Sequence, residues 1–210
     1  MFPPDPTPLL SRTPVLPVLA VERVQDAVPL ARALVAGGLP LLEVTLRTPA
    51  ALDVVRTIIA QVPEAVVGVG TVIQPSDVRL AVAEGAKFLV TPGTPPDLAA
   101  ALVKAPVPAI PGCATPAEAM SLSELGFSVL KFFPAESGGG TEFLRQMAGP
   151  LPHLRFVPSG GVNAENAAHY LAQPNVIAVG GTWVAPQEAV AAGNFARITA
   201  LARAAAALRG

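Results

Sequence analysis

The chain has 210 residues, of which 51% are apolar and 14% are charged, and its formal net charge is −1. The scattered basic residues exclude a nucleic-acid footprint, the single cysteine excludes an intramolecular disulfide, and the apolar runs are too short to span a membrane. Residues 1–7 are proline-rich and lack the basic and long apolar regions of a signal peptide, so we expect a cytoplasmic protein.

Short apolar runs alternate with Ala- and Leu-rich helical stretches after residue 12. We predict strands over residues 15–20, 41–45, 65–69, 88–91, 109–111, 129–132, 155–158 and 176–179. We predict helices over residues 25–36, 50–61, 76–84, 95–104, 116–125, 141–147, 164–171 and 195–208. Thr48, Pro75 and Thr115 stand where caps or first-turn prolines begin helices, and Gly85 and Gly126 stand where glycine ends them.

Eight strand–helix units with tight connections and apolar strands are typical of a parallel sheet covered by helices on both faces. We therefore predict the α/β class and a closed (β/α)8 barrel, the TIM barrel. Residues 1–210 are expected to form one domain, with residues 1–12 as a short N-terminal extension at the bottom or rim. In such barrels the functional side chains lie where the strands end and the loops to the helices begin.

Lys131 interrupts the apolar run of residues 128–134. An ammonium group loses its hydration when it is buried, and deprotonation is the usual escape for a buried lysine. A neutral amine in an apolar pocket is the nucleophile that forms Schiff bases with carbonyl substrates. The alternative is a buried stem whose amine reaches the surface.

Glu43, Thr45 and Arg47 alternate with apolar residues and share one face of a predicted strand. The apolar face suits packing on helices, which leaves Glu43 inside the barrel together with Lys131. Schiff-base chemistry needs a carboxyl group to move protons, although a structural ion pair with Arg47 or another cation is also open. Arg47 has the geometry to hold a carboxylate, although an arginine there is more often structural or at the surface.

Three further strand ends carry glycine or proline turns. Residues 68–71, Gly-Val-Gly-Thr, lack the third glycine of a dinucleotide fingerprint, so they indicate close backbone approach with the Thr71 hydroxyl facing the barrel mouth. The turns at residues 92–93 and 111–112 indicate only that the chain turns sharply. Cys113 has no basic neighbour in sequence, and we expect a packed thiol.

Two glycine pairs, each with an adjacent hydroxyl residue, follow the last two predicted strands. Such pairs free backbone N–H groups to point at an anion, and the phosphate site of barrels typically lies at these two loops. The predicted phosphate-binding residues are Gly160, Gly161, Gly180, Gly181 and Thr182. The alternative is that both pairs are merely tight turns.

Metal catalysis is not indicated. His153 follows a Pro-Leu-Pro loop and His169 lies within a predicted helix, and neither has a second histidine or an acidic cluster at ligand spacing. We expect no metal and no cofactor. Tyr170 and Trp183 are interpreted as packing residues.

Seven motifs together resemble those of a known family: Leu-Glu-Val-Thr-Leu-Arg-Thr (42–48), Val-Gly-Val-Gly-Thr-Val (67–72), Thr-Pro-Gly (91–93), Ile-Pro-Gly (110–112), Lys-Phe-Phe-Pro-Ala-Glu (131–136), Pro-Ser-Gly-Gly-Val (158–162) and Gly-Gly-Thr-Trp (180–183). The family is the bacterial class I aldolases for 2-keto-3-deoxy-6-phosphogluconate (KDPG), members of which often also act on 4-hydroxy-2-oxoglutarate (KHG). The resemblance covers roughly residues 12–205. Its Lys-Phe-Phe-Pro and Glu-Val-Thr-Leu-Arg runs are highly specific.

The resemblance implies a homotrimeric (α/β)8 barrel that acts without a metal. Lys131 matches the Schiff-base lysine and Glu43 the acid/base. The other matching positions are Arg47, Thr71 and Pro92 around the pyruvate carboxylate, Phe133 on the pocket wall, Ser159 near the sugar hydroxyls, and Gly160, Gly161, Gly180 and Thr182 at the phosphate. Ser159 stands where the family commonly has Thr, and Thr182 where it commonly has Ser, which bears on substrate preference and leaves the mechanism intact.

The expected function is therefore a lyase of the Entner–Doudoroff pathway that splits KDPG into pyruvate and glyceraldehyde 3-phosphate, with KHG as a further substrate that yields pyruvate and glyoxylate. Three alternatives stay open: an aldolase for the galactonate epimer, a different phosphosugar barrel enzyme that does not use Lys131, and a non-catalytic phosphate-ligand binding protein. The expected partner is a small phosphorylated 2-keto acid, with no nucleic acid and no membrane.

Overall fold

The computed structural model describes residues 2–209, in which short strands alternate with helices. The strands are β1 (Val15–Leu19), β2 (Leu41–Thr45), β3 (Val66–Gly70), β4 (Leu89–Val90), β5 (Ala109–Ile110), β6 (Gly112–Cys113), β7 (Val129–Phe132), β8 (Arg155–Pro158) and β9 (Val179–Gly181). The helices are α1 (Thr7–Leu10), α2 (Val24–Ala36), α3 (Ala51–Gln61), α4 (Pro75–Ala83), α5 (Pro96–Val103), α6 (Pro116–Glu124), α7 (Gly140–Met147), α8 (Ala167–Leu171), α9 (Gln187–Ala191) and α10 (Phe195–Ala206). Among these residues, no helix is both long and apolar enough to cross a membrane.

The strands of residues 2–209 pair in parallel. One sheet has the order β5-β4-β3-β2-β1-β9, and a second has the order β6-β7-β8. β5 and β6 follow each other with only Pro111 between them, so β5 pairs with β4 while β6 pairs with β7. Parallel strands joined through helices confirm the predicted α/β class.

Further backbone contacts link the two sheets. The Lys131 N–H donates to the Pro111 carbonyl at 2.9 Å, between β5 and β6. At the other end, Phe156 forms a parallel bridge with Val176, and Ser159 forms one with Gly180. The chain around β9 therefore touches both β1 and β8.

Alternate strand residues build two apolar cores within the described chain. One core lies between strands and helices and includes Leu42 and Val44 of β2. The other is enclosed by the strands of both sheets and consists of Leu10, Leu16, Leu41, Phe88, Val90, Ile110, Val129, Val157 and Ala178. Strands of both sheets share this interior, so the parallel sheet is curled. Because side chains alternate along a strand, Glu43 and Lys131 lie on the interior face.

Helix α1 lies in the predicted N-terminal segment and covers one end of the interior. Its last residue, Leu10, is fully buried and packs with Leu16 near the start of β1 and Leu41 at the start of β2. The amino-terminal end of the curled sheet is thus filled by apolar side chains. Polar side chains of the interior are therefore expected at the carboxyl-terminal end of the strands.

The predicted strands 41–45, 129–132 and 155–158 are confirmed at both ends. The predicted strand 109–111 is wrong in extent, because pairing continues past Pro111 to Cys113 on the other sheet. The predicted strand 176–179 begins too early, since Val176 makes only a single bridge and regular pairing starts at Val179.

Two helix predictions needed correction at their starts. The helix predicted from residue 164 begins at Ala167, because the Asn163 side chain accepts from the N–H groups of Glu165 and Asn166 and holds a turn. Thr48 does not cap α3, since its hydroxyl donates to the Val21 carbonyl. Short helices α1 and α9 were not predicted, as one turn carries too little periodicity.

Other helix boundaries follow the sequence signals. Thr115 begins α6 in a capping box with Glu118, and Pro75 occupies the first turn of α4. Gly85 and Gly126 end helices with φ of +87° and +93°, a conformation that glycine adopts without the strain of a Cβ.

Candidate active site

A cavity of about 330 Å³ at the carboxyl ends of the strands contains all the predicted site residues except Glu43. Its lining consists of Val18, Arg47, Thr71, Pro92, Lys131, Phe133, Ser159, Gly160, Gly161, Val162, Gly180, Gly181 and Thr182. These residues come from strands and loops spread over the whole chain. Val18 and Val162 were not predicted, because their apolar side chains carry no chemical signal.

Lys131 and Glu43 meet in the interior. Lys131 Nζ lies 3.3 Å from Glu43 Oε1, and the two residues are 3% and 0% exposed. The second oxygen, Glu43 Oε2, is buried and has no hydrogen-bond partner within residues 2–209. The amine therefore does not reach the surface, and Glu43 pairs with Lys131 and not with Arg47. Lys131 lines the cavity directly, 5.4 Å from the centre of the Phe133 ring, whereas Glu43 contacts the cavity through Lys131.

Gly70 leaves the space that the Glu43 carboxyl group occupies. A Cβ on Gly70 would lie 2.1 Å from Glu43 Oε1, and a Cβ on Gly68 would lie 2.4 Å from the Phe88 ring. The predicted close approach at residues 68–71 is thus made by interior side chains of the neighbouring strands. The contact of Gly70 with Glu43 was not predicted, because only the pairing of β2 with β3 places Gly70 opposite Thr45 and beside Glu43.

Arg47 and Thr71 are joined at the mouth. β2 ends at Thr45, and Arg47 lies in the following turn, where its Nε donates to Thr71 Oγ1 at 3.2 Å. Thr71 has a φ of +57°, which is uncommon for a residue with a Cβ. Within residues 2–209 the terminal guanidinium nitrogens of Arg47 make no hydrogen bond, so they are available to a carboxylate in the cavity.

The turn that carries Pro92 is held by hydroxyl groups. The Gly112 N–H donates to Thr91 Oγ1 at 2.8 Å, Thr94 Oγ1 donates to the Gly112 carbonyl at 2.9 Å, and the two threonine hydroxyls lie 2.8 Å apart. A Cβ on Gly112 would lie 2.4 Å from the Pro92 carbonyl group. The two Pro-Gly turns, which the sequence indicated only as turns, therefore interlock and fix Pro92 at the cavity.

The loop of Gly160 and Gly161 is oriented by the segment after β7. The Ala135 N–H donates to the Ser159 carbonyl at 2.8 Å, and the Glu136 N–H donates to the Gly160 carbonyl at 3.0 Å. In a trans peptide the N–H points opposite to the carbonyl, so the N–H groups of both glycines point away from that segment. Neither N–H has a protein acceptor among the described residues, as an anion-binding loop requires.

Gly180 and Gly181 make room for neighbouring side chains. A Cβ on Gly180 would lie 2.1 Å from Ser159 Oγ, and a Cβ on Gly181 would overlap the Trp183 ring. Ser159 Oγ is buried and finds no hydrogen-bond partner in the described part of the chain. Apart from Arg47 and Lys131, the cavity lining contains no cationic side chain. A phosphate at the two loops would thus be held by backbone N–H and hydroxyl groups.

Cys113, the potential metal ligands and Tyr170 lie outside this cavity lining. Cys113 is a packed thiol as predicted, because burial, aided by the Glu118 charge, raises its pKa to about 12. In the described residues there is no group of three metal-ligating side chains. Tyr170 is more than a packing residue, since its buried hydroxyl donates to the Glu136 carboxylate.

The aldolase family model described as KDPG and KHG aldolase matches residues 8–201 of this chain. The KHG/KDPG aldolase of Escherichia coli is 45% identical over 195 residues, which cover 93% of this chain and 92% of the relative. The relation therefore extends over nearly the full length of both proteins.

Solved structures agree with this relation. A KDPG aldolase from Legionella pneumophila, with pyruvate captured as a covalent carbinolamine intermediate, has a TM-score of 0.95 and 41% identity, covering 97% of this chain and 99% of that chain. A KDPG aldolase from Zymomonas mobilis with 3-phosphoglycerate has a TM-score of 0.90 and 43% identity, covering 97% and 96%. The chain belongs to the KDPG and KHG aldolase family of carbon–carbon lyases.

Proposed function

We propose that this protein is a class I aldolase that cleaves KDPG into pyruvate and glyceraldehyde 3-phosphate. The observation that carries the proposal is the buried contact between Lys131 Nζ and Glu43 Oε1, at the base of a cavity whose far side has free glycine N–H groups. A nucleophile and an anion site thereby share one cavity, and a proton carrier contacts the nucleophile from behind it.

The reaction begins with the Lys131 amine, after Glu43 has taken its proton. The amine attacks the C2 ketone. Glu43 gives its proton to the new alkoxide and takes one back from the nitrogen, which leaves a neutral carbinolamine and a protonated Glu43. Glu43 then supplies the proton with which the hydroxyl leaves as water, and a protonated imine forms between Lys131 and C2. The buried position of both groups keeps competing water away from this step.

The cationic imine acts as the electron sink for cleavage. Glu43 takes the proton of the C4 hydroxyl through a water molecule, the C3–C4 bond breaks, and its electron pair moves into an enamine while glyceraldehyde 3-phosphate leaves. Protonation of the enamine at C3 and hydrolysis of the imine release pyruvate and the free lysine. Glu43 returns to its initial state, so neither a metal nor an added cofactor is consumed.

The two ends of the substrate are held by separate groups. Arg47 and Thr71, with Pro92 beside them, bind the carboxylate, and Phe133 forms the wall next to the imine. The phosphate is bound by Gly160, Gly161, Gly180, Gly181 and Thr182, and Ser159 bonds a sugar hydroxyl. Fixing both ends supplies the orientation that makes cleavage effectively unimolecular.

KHG is the second substrate that we propose. It carries the same 2-keto acid and 4-hydroxyl pattern that Lys131, Glu43 and Arg47 need, but no phosphate, and it would yield pyruvate and glyoxylate. The relative from Escherichia coli is named a KHG/KDPG aldolase, which supports this assignment.

The finer architecture also belongs to the proposal. The contacts of β9 with β1 and of Gly180 with Ser159 support a closed (β/α)8 barrel in one domain over residues 1–210, with residues 1–12 as its extension. We further propose a cytoplasmic homotrimer. Exposed apolar side chains on α4 and α6 support self-association.

Borohydride reduction in the presence of pyruvate tests the proposed chemistry. We expect a stable adduct at Lys131, located by peptide mass spectrometry, and its loss in Lys131→Met together with KDPG cleavage. The exposed Lys104→Met is the matched control and should form the adduct normally. A phosphosugar enzyme without an imine, or a non-catalytic binding protein, would give no adduct, and an active Lys131→Met protein would contradict the proposal.

A further inference from the structure

Glu136 lies directly behind the Gly160-Gly161 loop. Its backbone N–H donates to the Gly160 carbonyl at 3.0 Å, and a Cβ on Gly161 would lie 2.5 Å from Glu136 Cγ and 2.6 Å from Glu136 Cβ. The stem of Glu136 therefore packs against the bare backbone of Gly161. Both the main chain and the side chain of one residue fix this loop.

The Glu136 carboxylate is held in turn by Tyr170 of α8. The Tyr170 hydroxyl donates to Glu136, and the tyrosine is only 1% exposed. Burial and the bond to the carboxylate raise the pKa of Tyr170, so its hydroxyl stays protonated and remains a donor at neutral pH. No lysine or arginine in the described chain forms an ion pair with Glu136, which leaves Tyr170 as its side-chain partner.

The loop needs such support because of its composition. Gly160 and Gly161 have φ values of +89° and +83°, and two consecutive glycines have more conformations to lose than any other pair. A loop that is already ordered binds its ligand without that entropic cost. With no cation at the two loops, phosphate binding depends on how well the N–H groups are aimed.

We propose that Tyr170 and Glu136 form a brace that positions the N–H groups of Gly160 and Gly161 for the substrate phosphate. Both are positioning residues, and neither touches the reacting carbons. The proposal rests on the proposed function, because it concerns the phosphate end of the same substrate. The brace sets the preference for phosphorylated over phosphate-free substrates and leaves the imine chemistry unchanged.

Three variants separate the parts of the brace. Tyr170→Phe keeps the buried ring and removes the donor. Glu136→Ala removes the stem and the acceptor, whereas Glu136→Gln keeps both and removes only the charge. For each, kcat/KM is measured with KDPG and with KHG, and the affinity for inorganic phosphate is measured by calorimetry on protein with wild-type near-ultraviolet circular dichroism.

We expect kcat/KM for KDPG and the affinity for phosphate to fall between about twofold and tenfold in Tyr170→Phe, the range that a single hydrogen bond supplies. Both quantities should fall at least as far in Glu136→Ala. In Glu136→Gln they should recover most of the loss seen in Glu136→Ala. Turnover of KHG and borohydride trapping with pyruvate should stay within about twofold of wild type in all three, since the brace does not act on Lys131.

Several results would overturn the brace. Equal losses on KDPG and KHG would assign Tyr170 to general stability, and unchanged phosphate affinity in Tyr170→Phe and Glu136→Ala would remove its role. Stronger phosphate binding in Glu136→Gln than in wild type would mean that Glu136 acts by charge repulsion. A wild-type protein that forms no pyruvate adduct and cleaves no KDPG would instead overturn the proposed function, and the phosphate calorimetry would still test the brace.

Discussion

At the residue scale, the site depends on two buried side chains of opposite charge on separate strands. Lys131 and Glu43 lose their hydration in the interior, and a contact of 3.3 Å compensates each charge with the other. A buried ion pair contributes little to stability, but a proton that moves between its members leaves no net charge behind. The pair is therefore suited to repeated proton transfer.

Glu43→Gln tests that proton transfer. The amide keeps the shape of the side chain but cannot carry a proton, and general acid–base catalysis typically contributes about 10²–10⁴-fold to the rate. We expect KDPG cleavage to fall by that factor, and borohydride trapping of pyruvate to slow as well, because imine formation uses the same group. A loss below tenfold in both measurements would make Glu43 a structural partner of Lys131.

Gly70→Ala tests the space around Glu43. The added Cβ would lie 2.1 Å from Glu43 Oε1 and 2.6 Å from its Cγ, so the carboxyl group must leave its contact with Lys131. Overpacking of this kind costs about 1–3 kcal/mol in stability, and we expect KDPG turnover to fall at least tenfold in protein that remains folded.

Gly149→Ala is the matched control, because a Cβ at Gly149 meets no atom within 4 Å. It should leave both the thermal unfolding temperature and the turnover close to wild type. Full activity in Gly70→Ala would mean that Glu43 works equally well from another position, and the role given to Gly70 would be wrong.

At the scale of elements, the loops after β8 and β9 can form the proposed anion site only because their neighbours hold them. The segment after β7 binds the carbonyls of Ser159 and Gly160, and the Ser159–Gly180 bridge brings the second loop alongside. The site therefore requires three successive strands at one edge, and no single loop contains it. A substitution that tests it must leave these backbone contacts intact.

Thr182→Asp meets that requirement. Thr182 is exposed at the cavity and has no positive φ, whereas Asp at Gly161 would be strained by a φ of +83° and by contact with Glu136. A carboxylate beside the phosphate should lower kcat/KM for KDPG more than tenfold through repulsion, and KHG turnover far less. Thr182→Asn is the uncharged control. Equal losses on the two substrates in Thr182→Asp would argue against a phosphate at this loop.

At the scale of the whole molecule, four large apolar side chains on or beside α4 and α6 are exposed, and we call them the α4–α6 set. Ile73 and Leu80, on and beside α4, are 59% and 49% exposed, and Met120 and Leu125, on and beside α6, are 53% and 42% exposed. Helix α5 lies between these helices in the chain and contacts α4. Exposed apolar side chains that form a contiguous patch are typical of a protein–protein interface, and we expect this set to belong to one.

We expect sedimentation equilibrium to give three times the mass of the chain. Leu80→Glu and Met120→Glu should shift the protein toward the monomer, because a buried unpaired charge opposes association. Val24→Glu, on α2, is the control at an exposed apolar position outside this set. A wild-type monomer at micromolar concentration would refute the proposed trimer. Dissociation in Val24→Glu alone would mean that the interface lies at α2 and not at α4 and α6.

Much of the architecture was predictable from local patterns. Apolar strands, Thr115 before a proline, and Gly126 after a helix each act through nearby residues, and the structure confirms them. Predicted strand boundaries were wrong where contacts with strands distant in the chain set the end of an element. Pairing past Pro111 depends on β7, and the late start of β9 depends on the regular contact with β1.

The sequence by itself determined the chemical groups of the site and the end of the sheet at which they lie. Lys131 in an apolar run, the alternation around Glu43 and the two glycine pairs are local patterns with direct chemical meaning. Only the tertiary structure decided that Lys131 contacts Glu43 and that Tyr170 contacts Glu136. It also decided that the Glu43 carboxyl group occupies the space that a Cβ on Gly70 would need. These contacts join residues that are between 27 and 88 positions apart in the chain. Such contacts depend on how the curled sheet brings its strands together, which no short stretch of sequence encodes.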